Sequence, residues 1–283
     1  MKKIKFLSVL VVASSMFLVY SCKKQTKDVD TETQSVVDNA ICEQEFMQIQ
    51  PTTNNLAIKT KGTSAQRLIQ DLQLASGGCD SLKYLSGDTT YVSLSNPPTY
   101  EFDYGTCPAA IVDGVVRTGK IWIRYLGRPN MIGKKTIIKL MNYKVNGTIT
   151  YSCDSIVVTT VANSVGTKQW NVQIINGVCT GSGWNIKYSS NKDITLSTNS
   201  TLVLNDDVVT VTGSANGTNR DGRDFTVTIS GITKPANCKH ITAGKVDVTP
   251  KDFSTRTVDF GNGNCDDDAT FTVNGQTIAF KLK

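Results

Sequence analysis

The sequence predicts an all-β protein, an antiparallel meander of roughly a dozen strands preceded by a short N-terminal helix. Three observations predict it. Of 24 acidic residues only Glu32, Glu43, Glu45 and Glu101 are glutamates, which leaves 20 aspartates; aspartate bonds its own backbone in turns, whereas glutamate favours helices. Apolar and polar residues alternate: Phe225, Val227 and Ile229 with Thr226, Thr228 and Ser230, and Ile278, Phe280 and Leu282 with Ala279 and Lys281. Such strands carry one apolar and one wet face. Asp113-Gly114, Asn146-Gly147, Asn176-Gly177, Asp221-Gly222 and Asn274-Gly275 fall between these runs, and both positions of such dipeptides tolerate the positive φ of a two-residue hairpin. The turn spacing suits a sandwich, a barrel or a curled sheet, and no stretch has the strand-helix-strand rhythm of a parallel sheet.

The chain opens with Lys2, Lys3 and Lys5, an apolar run from Phe6 to Tyr20, and Ser21 directly before Cys22. That order is a signal peptide. The run is too short, and too interrupted by Ser8, Ser14 and Ser15, to read as a membrane span. Val19-Tyr20-Ser21-Cys22 looks like a bacterial lipobox, with Tyr20 where a small residue is usual. The expectation is that residues 1–21 are removed and that acylated Cys22 anchors the chain in a lipid membrane. Lys23 in place of Asp resembles the signal for the outer membrane, on a side the sequence leaves open.

Residues 22–34 are polar, with Val29 the lone aliphatic after Cys22, and read as a tether. Residues 35–76 form a helical and loop segment. Val36, Val37, Ala40, Ile41 and Met47 recur near helical spacing, Pro51 is expected to end that helix, and Ser64 to Leu72 suggests another turn or two before Gly77-Gly78. Residues 77–283 are the β domain.

Charge excludes one class of partner. The chain has 30 basic and 24 acidic residues; loss of the three leader lysines leaves 27 against 24, a net of +3. No Lys/Arg face is concentrated enough for nucleic acid.

Two ends of the β domain, 79–126 and 238–283, follow one plan. Cys79-Asp-Ser-Leu-Lys leads after 28 residues to Phe102-Asp-Tyr-Gly-Thr-Cys107 and then to the strand at Lys120–Tyr125. Cys238-Lys-His-Ile-Thr leads after 27 to Val258-Asp-Phe-Gly-Asn-Gly-Asn-Cys265 and then to the strand at Thr277–Leu282. A looser copy runs from Cys153 to Cys179. The repeat pairs Cys79 with Cys107, Cys238 with Cys265 and Cys153 with Cys179, and leaves Cys42 over, in a compartment that oxidises thiols.

Those residues carry a resemblance. The Phe102–Cys107 segment, Asp113–Ile121, Val211–Asn219 and the run Asp259–Gly275 resemble a group of Bacteroidetes lipoproteins of unknown function. The resemblance implies an exported all-β lipoprotein and no particular activity. It also implies that Asp80-Ser81-Leu82, Asp88-Thr89-Thr90 and Asp154-Ser155-Ile156 are similar to the three-residue O-glycosylation signal of such bacteria, although ordinary strand-edge hydroxyls read equally well there.

Catalytic groups are scarce. His240 is the single histidine, and Glu101 and Asp103 share one face of one strand, too local to flank a glycosidic bond. Asp266-Asp267-Asp268 and Asp206-Asp207 offer oxygens without the ligand spacing of a calcium loop, and the cysteines lack zinc spacing. The expectation is therefore no enzyme and no cofactor. One residue points to binding: if Ile121, Ile123 and Tyr125 face the core, Trp122 faces outward, where it can stack on a sugar or a protein. The sequence thus reads as a cell-envelope lipoprotein whose non-enzymatic domain binds a glycan or an envelope protein, or has a structural part. The alternatives are a curled sheet that carries a lipid or other apolar ligand, and a hydrolase with distant aspartates.

Overall fold

A computed structural model describes residues 30–59, 81–91, 95–105, 115–197, 207–238 and 240–282. The chain divides into two units, Met1–Asp30 and Thr31–Lys283, and every element below belongs to the second. A helix, α1 (Gln34–Lys59), precedes fourteen strands: β1 (Ser81–Ser86), β2 (Thr99–Asp103), β3 (Arg117–Leu126), β4 (Lys135–Val145), β5 (Ile149–Ser152), β6 (Ser155–Ser164), β7 (Thr167–Gly181), β8 (Trp184–Ser197), β9 (Val208–Thr218), β10 (Asp224–Pro235), β11 (Ala243–Pro250), β12 (Arg256–Asn262), β13 (Asp268–Val273) and β14 (Gln276–Lys281).

All strands join one antiparallel sheet in chain order, with β1 and β14 at its ends. The place between β4 and β7 is shared: β5 and β6 both pair with β4 and with β7, so they are one strand broken at Cys153-Asp154. This is the curled meander among the architectures the sequence allowed.

Bulges bend the sheet. One line of them crosses β3 to β8, where Gly119 faces the extra residue of β4, β5 breaks from β6, and β7 carries two residues against Ser189. A second line crosses β10 to β12 around Gly231, Gly244 and Gly261. A bulge bends its strand and sharpens the local twist. Gly119 shows why glycine stands there: at φ +90° a Cβ would lie 2.2 Å from the Asn142 carbonyl oxygen.

The inner face closes on α1. Cys42, Phe46 and Ile49, at helical spacing, are fully buried against Ile121, Ile138, Tyr143, Ile156, Ile174, Ile186 and Tyr188. Phe46 stacks on Tyr188 with ring centres 5.9 Å apart and meets Tyr151 edge-on at 5.7 Å. Side chains from Glu32 to Glu45 touch strands from β3 to β12. Laid flat, that run of strands spans roughly 38 Å at the usual strand spacing, while the segment that touches it rises only about 20 Å. The sheet wraps the helix.

Three expectations need correction. The helix continues through Pro51 to Lys59, although proline removes one N–H and crowds the preceding turn. Asn176-Gly177 is no hairpin; it lies inside β7 at a bulge, with Asn176 at φ +49°. Finally, the apolar alternation of β14 does not mark a covered face: every residue of that strand is exposed, because β14 ends the sheet beyond the reach of α1.

Candidate functional site

The chemistry of the interior comes from four acids, Glu32 just before α1 and Asp38, Glu43 and Glu45 in its first half. Glu45 accepts two parallel bonds from Arg117, Nε at 2.9 Å and Nη2 at 3.1 Å, and a third from the Tyr143 hydroxyl. Glu43 accepts from Lys192 and, at 2.5 Å, from the Tyr188 hydroxyl. Asp38 accepts from the Arg220 backbone N–H at 2.7 Å and its Nε at 2.8 Å, and that guanidinium lies 4.3 Å from the Trp184 ring centre. Glu32 accepts from the Ser35 N–H and hydroxyl at 2.9 and 2.8 Å, while Arg256 Nε donates to the Glu32 carbonyl at 2.8 Å.

These groups are held out of water. Arg256 and Lys192 are fully buried, and Arg117 and Glu45 nearly so. Burial raises the phenol pKa values of Tyr143 and Tyr188 well above the usual tyrosine range, with Glu45 and Glu43 adding to it. Burial lowers that of Lys192, and Glu43 opposes the shift. Each carboxylate faces a cation rather than another carboxylate. The arrangement is a clasp between helix and sheet, not a pair of acids across a cleft.

The outer face is polar and has two notable places. Trp122 lies opposite the buried Ile121, Ile123 and Tyr125, as the alternation predicts, and is half-buried between its cross-strand neighbours Glu101 and Lys139. Lys139 Nζ stands 5.9 Å from the ring centre. Glu101 and Asp103 both engage Lys120, at 2.8 and 3.3 Å, and raise its pKa.

The second place is a groove of about 740 Å³ across β8 to β11, walled at one end by the turn Pro250–Phe253. Two cross-strand rows pave it: Lys187, Thr218 and Asp224, then Ser189, Asn216, Thr226 and Thr249. The wall is bonded back to β10 through the Lys251 N–H and the Asp224 carbonyl, 2.8 Å apart. Arg223 lies 4.2 Å over the Phe253 ring centre.

The cysteines depart from the repeat. Cys238 and Cys265 are bonded, with Cα atoms 5.7 Å apart. Cys179, however, bonds Cys42 of α1 with Cα atoms 6.3 Å apart, so neither the Cys153–Cys179 pairing nor a leftover Cys42 stands. The physical reason is the helix itself, which docks Cys42 on the inner face where Cys179 points. Among the described residues Cys153 is the free thiol, and burial pushes its pKa up to about 12. Cys22, Cys79 and Cys107 lie outside the described residues.

The repeat has a local counterpart in structure. Asp103 accepts the Gly105 N–H at 2.9 Å, Asp259 accepts the Gly261 N–H at 3.0 Å, and both glycines have positive φ. Each aspartate also meets a lysine, Lys120 at 3.3 Å and Lys245 at 3.0 Å.

The remaining sequence candidates are engaged elsewhere. Asp267 and Asp268 hold Lys281 at 2.6 and 2.7 Å, Asp206 lies outside the described residues, and among the described residues no three metal-ligating side chains cluster. His240 is partly exposed at a bend. The clasp was missed by the sequence reading, yet a signal existed: three of the four glutamates crowd into Glu32–Glu45.

No protein-family model matches this chain, and neither a curated protein nor a solved structure does.

Proposed function

We propose that this chain is a cell-envelope lipoprotein, anchored in the outer membrane through acylated Cys22, whose β domain is a non-enzymatic binding module that works with the outer face of its sheet. The observation that carries this reading is the filling of the inner face. Cys42, Phe46 and Ile49 occupy the concave side, where a carrier would need an open apolar cavity for its ligand. The buried Glu32, Asp38, Glu43 and Glu45 are each matched to a cation, so the interior supplies no free acid pair, and a hydrolase would have to draw on surface aspartates. The broad outer face, with Trp122 and the groove, remains for recognition. The resemblance to Bacteroidetes lipoproteins and the run before Cys22 support the envelope location.

Two measurements test it. Labelled palmitate should enter the protein and fail to enter the Cys22→Ala variant. The purified chain should bind a glycan or envelope component saturably and leave it chemically unchanged; a cleaved product would mean the hydrolase, and a fatty acid retained through purification would mean the carrier.

A further inference from the structure

We infer that the groove across β8 to β11 is a binding site for a neutral oligosaccharide of about three sugar units, an inference that rests on the binding-module reading above. Four strands at the usual spacing give a floor roughly 14 Å wide, and its volume of about 740 Å³ lies in the range of small-molecule sites.

The lining chooses the ligand class. The floor side chains are hydroxyl, amide and charged groups, and the apolar Pro250 and Phe253 stand only at the end wall, so an acyl chain finds no continuous apolar floor to bury against. The charges cancel, with Lys187 and Lys251 against Asp224 and Asp252, so neither a phosphate nor a strongly acidic polymer is favoured. Protein partners need apolar anchor pockets at the centre of a contact, and here the aromatic Phe253 lies at one end, already under Arg223.

The polar groups are also available. The side chains of Lys187, Asn216, Thr226, Lys251 and Asp252 have no hydrogen bond or ion pair among the described residues. Just outside the groove, on β7 and β8, the comparable groups are closed on one another: Asn171 Nδ2 donates to Asn191 at 2.8 Å and to Asp193 at 2.9 Å. Amides that both donate and accept, flanked by ammonium donors and carboxylate acceptors, complement ring hydroxyls, which themselves donate and accept.

The test is amide chemical-shift mapping on the full chain with maltotetraose, cellotetraose, mannotetraose and a galacturonate tetramer as probes. At least one neutral tetramer should shift the amides of Lys187, Asn216, Thr226 and Lys251 saturably. Asn216→Ala combined with Thr226→Ala should weaken that binding about tenfold, since each lost bond of ordinary strength weakens it about threefold and the two factors multiply. Trp122→Ala should leave it unchanged. Shifts confined to the Trp122 face, or tighter binding of the galacturonate, would overturn the groove assignment while leaving the binding-module reading in place. Silence from all four probes would overturn it too, and the module reading would then rest on the envelope-component measurement alone. Because both groove substitutions sit on the solvent face, an unchanged thermal midpoint separates lost binding from lost folding.

Discussion

Arg117 Nε stands 2.9 Å from Glu45 Oε1 although 72 positions separate the two residues, and both are almost completely buried. Their geometry is bidentate, which strengthens the bond and fixes its direction. With Lys192, Arg220 and Arg256 against Glu43, Asp38 and Glu32, it makes α1 part of the β domain instead of a spacer before it. The acid–base pairs, together with the Cys42–Cys179 bond, fix the rotation of the helix on the sheet.

Breaking this pair should be costly while replacing it should not. Glu45→Ala removes the carboxylate that offsets the buried Arg117 charge and accepts from the Tyr143 hydroxyl, and should destabilise the fold by roughly 3–5 kcal/mol. The double variant Glu45→Leu with Arg117→Met removes both charges and should recover most of that loss. Urea denaturation of the two variants checks it, and a double variant as unstable as Glu45→Ala would assign the effect to packing.

The buried phenols predict weakness in alkali. Burial raises Tyr143 and Tyr188 well above the ordinary value of 10.0 and takes Tyr100 to about 12; the Cys153 thiol rises from 9.0 to about 12. The folded state then keeps protons that the unfolded chain releases, so this stability is complete below the unfolded values and is lost as pH climbs through the folded ones. The contribution of these phenols and the thiol should be level up to about pH 8 and fall steadily above about pH 9, while Lys192, lowered by burial, opposes it. Tyrosinate absorbance should reach full amplitude only as the circular dichroism of the sheet disappears; full ionisation with an intact sheet would contradict the assignment.

Two glycines separate conformational need from steric need. Gly147 has φ +66° with nothing within 4 Å of the point where a Cβ would lie, whereas Gly119 has φ +90° and a Cβ there would strike the Asn142 carbonyl oxygen at 2.2 Å. Alanine at 147 should therefore cost about 1–2 kcal/mol, the usual penalty of a left-handed residue. Alanine at 119 must also push β4 away at a bulge, and should cost more than about 3 kcal/mol or prevent folding. Chemical denaturation of the pair would rank them, and equal losses would mean that the Gly119 contact relaxes without cost.

Period-two alternation made the strand faces legible: Phe225, Val227 and Ile229 are buried as their spacing requires, and Trp122 faces away from its apolar neighbours. What alternation does not encode is whether anything covers the apolar face, so Ile278 and Phe280 have the core pattern and remain exposed. The Asn-Gly signal had the same limit. It reports tolerance of positive φ, which the hairpin at Asn274-Gly275 and the bulge at Asn176-Gly177 both use. The groove was illegible because its residues come from five strands, with Asn176 the one from β7, and a turn, each an ordinary wet face when read alone.

Cysteine spacing misled for a related reason. Cys153 and Cys179 lie on inner-sheet positions close in sequence, but the docked helix places Cys42 against Cys179 across a separation of 137 residues. A loop of that length is expected to stabilise the fold by roughly 4–5 kcal/mol through the unfolded chain, against roughly 3–4 kcal/mol for the 27-residue separation of Cys238 and Cys265. Peptide mapping without reductant should join Cys42 to Cys179, and iodoacetamide should modify Cys153 far more slowly in the folded chain than in the unfolded one, since its partly buried thiol with a pKa near 12 is scarcely ionised at neutral pH. Cys42→Ala should lower the denaturation midpoint more than Cys265→Ala does, while the ion pairs of Asp38, Glu43 and Glu45 keep α1 docked. A peptide that joins Cys153 to Cys179, or rapid labelling of Cys153 in the folded protein, would instead place the helix elsewhere and remove the basis for the filled inner face.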